Sequence, residues 1–89
     1  MNISFKLVSA IWCPSCIIMR PRYNEISKNN NISILELDFD DDEEEVNKLN
    51  IGNTLPALII YKDNQEYFRI TGEKSKKELD GIFHEKGIY

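Results

Sequence analysis

Both cysteines of this 89-residue chain stand two residues apart, in Trp12-Cys13-Pro14-Ser15-Cys16. A strand-like apolar run, Phe5 to Ile11, leads into them, and a helix-like run from Ile17 to Ile26 follows. A C-x-x-C pair where a strand hands over to a helix ties the chain to a β-α unit and has the layout of a dithiol redox site. The first sulfur lies beside free backbone N–H groups at the helix start, and these groups and the helix dipole favour thiolate over thiol. Cys13 is therefore expected to be the more exposed and more acidic thiol. Cys16, one turn on, is placed to attack a mixed disulfide formed on Cys13.

Other uses of the pair fit less well. A structural zinc site needs four ligands, and there is no second C-x-x-C, while the single histidine, His84, lies far along the chain. A structural disulfide closing so small a loop restrains the unfolded chain little. Two chains sharing a metal or an iron–sulfur cluster remain an alternative.

Length predicts one domain, residues 1–89, with a small core and little surplus stability. The 42% hydrophobic content fits a globular chain. Fifteen acidic against eleven basic residues, net −4, argue against a nucleic-acid partner. No apolar run approaches a membrane span. Lys6 interrupts the first apolar stretch, so no secretory pattern is read there. Two cysteines in a C-x-x-C without such a pattern suggest a reducing, cytoplasmic setting.

The patterning predicts strands at residues 3–11, 32–39, 56–61 and 66–70 and helices at 14–27, about 42–49, and after Ser75. The second strand reads as mostly buried. Pro14 suits the first helical position. Val46 and Leu49 face inward on the second helix. Lys62 to Gln65 reads as a turn. Ser75 and Glu78 form a capping box, Leu79, Ile82 and Phe83 share one face of the last helix, and Gly87 ends it. His84 reads as a surface residue. The order β-α-β-α-β-β-α implies an α/β fold, a four-stranded mixed sheet flanked by three helices.

From Phe5 to Phe83 the chain resembles the thioredoxin and glutaredoxin family. Trp12 directly precedes Cys13, Pro21 lies five residues after Cys16, Thr54-Leu55-Pro56 opens the third strand, and Gly72 closes the fourth. The resemblance implies the thioredoxin fold, a helix kink at Pro21, a cis peptide at Pro56 and a substrate groove lined by Trp12, Pro14, Leu55, Pro56 and Gly72. Leu55 main-chain groups are then expected to pair with a bound peptide. Pro14 after the first cysteine and the Thr-x-Pro follow the glutaredoxin habit. Thr71-Gly72-Glu73-Lys74, however, replaces the Gly-Gly and Asp with which that branch holds glutathione.

The resemblance also exposes a gap. Thioredoxins carry a buried aspartate six residues before the nucleophile, and Leu7 stands there. The lysine that commonly pairs with it corresponds to Glu36. Flanked by Leu35 and Leu37, Glu36 is read as inward-facing, its pKa raised toward a general base's range, and as the proton acceptor for Cys16.

The acidic run Asp40 to Glu45 reads as a solvated helix start that biases which partners dock. Asp38, Asp40 and Asp42 have the spacing that opens an EF-hand loop, but Glu43 and Leu49 at its sixth and twelfth positions exclude it. The resulting expectation is a monomeric protein-disulfide oxidoreductase, catalysed by Cys13 and Cys16, with no cofactor and no metal. Its partners are disulfide-containing proteins and a thioredoxin-reductase-like donor or small thiol. A glutathione-dependent glutaredoxin-type enzyme and a non-catalytic binding module are the alternatives.

Overall fold

The computed structural model describes residues 2–89. Strand β1 (Ile3–Ser9) pairs in parallel with β2 (Ser33–Asp38) on one side and antiparallel with β3 (Ala57–Lys62) on the other. Strand β4 (Gln65–Thr71) completes a sheet in the order β2-β1-β3-β4. Between them run helices α1 (Pro14–Asn29), α2 (Glu43–Asn47) and α3 (Lys76–Glu85). This is the expected mixed sheet with three helices.

Alternation along the strands divides the core. Phe5, Leu7, Leu58, Ile60 and Ile70 meet Met19 and Tyr23 of α1 and Leu79 and Phe83 of α3. On the opposite face Val8, Ala57 and Ile59 meet Val46 of α2 and Ile51. The β3–β4 hairpin turns through Asp63 and Asn64, both at positive φ (52° and 70°). A two-residue turn of this kind matches the twist of the flanking strands, and Asp and Asn tolerate its left-handed backbone.

Local chemistry sets the helix ends. In α3 the Ser75 hydroxyl accepts from the Glu78 N–H while the Glu78 carboxylate accepts from the Ser75 N–H, closing the capping box. At its far end the Ile88 N–H donates to the Phe83 carbonyl and the Gly87 N–H to that of His84. Gly87 supplies the φ of +74° that this reversal needs. His84 is exposed. Helix α1 runs on through Pro21.

Three expectations change. Strand β1 stops at Ser9, and Ile11 stands 86% exposed in a turn. Helix α2 is limited to five residues, with Val46 buried and Leu49 half-buried. Strand β2 is not mostly buried. It is an edge strand, and Leu35, beside Lys6 in register, is 52% exposed on the face that short α2 covers. The apolar letters in 32–39 show which residues favour a strand, not whether a neighbour arrives on both sides.

Candidate active site

The β1–α1 junction presents the two cysteines as free thiols. Cys13 is the N-cap of α1 in extended backbone (φ −99°, ψ 111°), with Pro14 beginning the helix. From there its Sγ accepts the Cys16 N–H at 3.3 Å. A helix start leaves its first N–H groups without intrahelical partners, and here one of them is aimed at sulfur. Pro14 has no N–H to lose, so its place in the first turn is free of penalty.

Exposure orders the two thiols as expected. Cys13 is 7% exposed and Cys16 only 1%. Both pack with Ala10 against Phe39 and Leu55. Burial, followed by the hydrogen bond with Cys13, pushes the Cys16 thiol from 9.0 up to about 11. Cys16 is thus held protonated at neutral pH, while Cys13 is the sulfur nearer solvent.

The residues expected around the dithiol gather at this end of the sheet. Trp12 is 59% exposed, meets Phe39 edge-on with ring centroids 6.0 Å apart, and donates its Nε1–H to Asp40 Oδ2 at 2.6 Å. The Leu55–Pro56 peptide is cis. The Gly72 N–H donates to the Pro56 carbonyl at 2.9 Å, fixing Gly72 beside that proline. Gly72 has φ +75°, and a Cβ built on it would meet nothing within 4 Å. Glycine serves the backbone conformation there rather than a tight approach. Ile11, Trp12, Ile17 and Ile18 give the dithiol an exposed apolar border.

Glu36 is corrected. In register it lies opposite Leu7, and it lines the same groove of about 660 Å³ as Cys16, Ile17 and Arg20. It is not buried, however. Arg20 Nε donates to its carboxylate at 2.5 Å, and this pairing outweighs partial burial and lowers the Glu36 pKa. The raised pKa expected of a general base is absent, because β2 is an edge strand within reach of a long cation on α1.

The acidic run is partly committed to backbone. Asp38 Oδ1 accepts the N–H groups of Asp40 and Asp41, and Asp42 Oδ2 accepts that of Asp38. Sequence reasoning missed two groups. Asp40 is held by Trp12 across 28 positions of chain, and Glu73 Oε1 accepts from the Ser15 hydroxyl at 3.4 Å across 58. Neither pairing leaves a local signal, since each depends on strands meeting in the sheet.

The thioredoxin family model matches residues 5–85. The thioredoxin of Mycobacterium tuberculosis is 32% identical over 72 residues, covering 79% of this chain and 61% of that protein. That of Listeria monocytogenes is 29% identical over 77 residues, covering 84% of this chain and 74% of that one. The chain therefore spans about 61% of the length of the mycobacterial protein. In fold, the X-ray structure of Fasciola hepatica thioredoxin superposes with a TM-score of 0.80 at 23% identity, covering 93% of this chain and 80% of that one.

Proposed function

Because this chain belongs to the thioredoxin family, we propose that it is a protein-disulfide oxidoreductase working through Cys13 and Cys16. One observation carries the reading. Cys13 caps α1 with a backbone N–H on its sulfur, and the buried Cys16 waits one turn behind it.

The Cys13 thiolate attacks one sulfur of a substrate disulfide. A bond forms from Cys13 Sγ to that sulfur, the substrate S–S bond breaks, and the first substrate thiolate leaves and takes a proton. Cys16 then loses its proton and attacks Cys13 Sγ. The Cys13–Cys16 bond forms, and the second substrate thiol departs. Two electrons pass from the dithiol to the substrate. A thioredoxin-reductase-like flavoenzyme or a small thiol returns them, and a reducing cytoplasm suits the cycle.

The local architecture supports each step. The N–H on Cys13 Sγ stabilises negative charge on that sulfur before it attacks the substrate disulfide. The apolar border of Ile11, Trp12, Ile17 and Ile18 gives a protein substrate a surface to dock on. Leu55 and Pro56 lie alongside, where an extended peptide would pair with main chain.

Insulin reduction driven by dithiothreitol tests the proposal. The native chain should accelerate precipitation of the insulin B chain, and Cys13→Ser should remove the acceleration. A native chain without effect would leave a binding module. Fast turnover sustained by glutathione and glutathione reductase would instead favour the glutaredoxin-type alternative.

A further inference from the structure

The two residues that bracket Cys13 each hold a carboxylate. Trp12, immediately before it, donates to Asp40, and Ser15, two positions after it, donates to Glu73. Asp40 follows the end of β2, and Glu73 follows the end of β4. Strands β1, β2 and β4 run in the same direction, so all three end at the same rim of the sheet. In the order β2-β1-β3-β4, β2 and β4 are the two outer strands. Cys13, which follows β1, therefore has one carboxylate on each flank.

Resting on the dithiol reading above, we propose that Asp40 and Glu73 select substrates by charge, favouring disulfides flanked by basic residues and disfavouring anionic disulfides. A carboxylate held by a residue that flanks the reacting sulfur attracts a cation carried next to the substrate disulfide and repels an anion. Two neighbouring cations are paired with other carboxylates, Arg20 with Glu36 and Lys48 with Glu45, while Arg22 donates to the neutral Lys74 carbonyl. On the Asp40 flank the next five residues are all acidic. Each flank of Cys13 therefore presents a carboxylate, and the Asp40 flank carries the larger run of negative charge. Glutathione disulfide, which carries carboxylates, is an unfavourable partner for such a site, whereas a basic segment beside a protein disulfide is a favourable one.

The test uses three small disulfides: cystamine (cationic), bis(2-hydroxyethyl) disulfide (neutral) and dithiodipropionate (anionic). The reduced protein is mixed with each in stopped flow, and the fluorescence of Trp12, the only tryptophan, reports the reaction. Each rate is divided by that of dithiothreitol with the same disulfide, which removes differences in leaving-group pKa. The expected order is cationic, neutral, anionic. The two ends should differ by about tenfold at about 0.01 M salt and converge toward 1 M as the screening length shrinks. Asp40→Asn and Glu73→Gln keep the acceptor for each hydrogen bond and remove its charge. Each should narrow the cation-to-anion ratio, and the double variant should narrow it most. Equal normalised rates in the native protein would overturn the proposal, as would a salt-independent preference or one that the double variant retains. Failure to react with all three disulfides would overturn the dithiol reading, and this inference with it.

Discussion

The resolving step should be strongly pH-dependent, and Glu36 should not govern it. Cys16 is raised from 9.0 to about 11. Burial, the largest cause, persists when Cys13 is bonded to substrate, whereas the contributions of a free Cys13 do not. The resolving thiol in the mixed disulfide therefore stays raised by burial. At pH 7 only a small minority of molecules then carries the Cys16 thiolate, and each further pH unit multiplies that share about tenfold. Leu7 accepts no proton, and Arg20 holds Glu36 ionised with a lowered pKa. No raised carboxylate buffers the step, so its rate should climb about tenfold per pH unit from about pH 6 to pH 9. A chromophoric aromatic disulfide gives the assay. Attack by Cys13 releases one coloured thiolate, and resolution by Cys16 releases the second. Cys16→Ser should keep only the first phase. Glu36→Gln should leave the slope of the second phase unchanged. A plateau below about pH 8 in the native protein, lost in Glu36→Gln, would refute the reasoning and make Glu36 the base.

Alkylation of the reduced protein at neutral pH should label Cys13 before Cys16, because Cys16 is 1% exposed and held protonated; peptide mapping after brief iodoacetamide treatment reads the order. Phe83→Ala should destabilise the fold by about 3–5 kcal/mol in urea titration, since Phe83 is fully buried and stacks on Phe5 at 5.7 Å. Ser75→Ala removes one half of the capping box and should cost about 1 kcal/mol. In a scanning calorimeter that loss corresponds to about 4–8 °C in Tm.

What could be read from the sequence was whatever depends on near neighbours. The C-x-x-C at the strand–helix junction, Pro14 in the first helical turn, the Ser75–Glu78 box, the Asp63-Asn64 turn and the Gly87 terminus all act across a few residues, and each is found in place. The cis peptide at Pro56 was legible only through resemblance. What failed depends on partners far along the chain. Leu35 looked buried because its strand is rich in apolar letters, and Glu36 because apolar residues flank it, yet the edge position of β2 exposes the first and hands the second to Arg20. Asp40 looked like one more solvated carboxylate, and only the packing of Trp12 on Phe39 brings an indole N–H to it.

The sheet order has a consequence for how the molecule behaves in crowded solution. β2 and β4 are the rims, and a rim strand offers unpaired main-chain groups to any other strand that approaches. Each rim carries an ion pair, Arg20–Glu36 beside β2 and Arg69–Glu66 on β4. A second molecule adding its strand at either rim would have to strip water from these charges and crowd the side chains that hold them together. At β4 it would also meet a ladder whose register with β3 shifts between Ile60 and Tyr61. Leu35 is the exposed apolar contact on the β2 rim, and it lies one residue from Glu36. The charges that make the rims poor sequence matches for a core also guard the sheet against edge-to-edge aggregation.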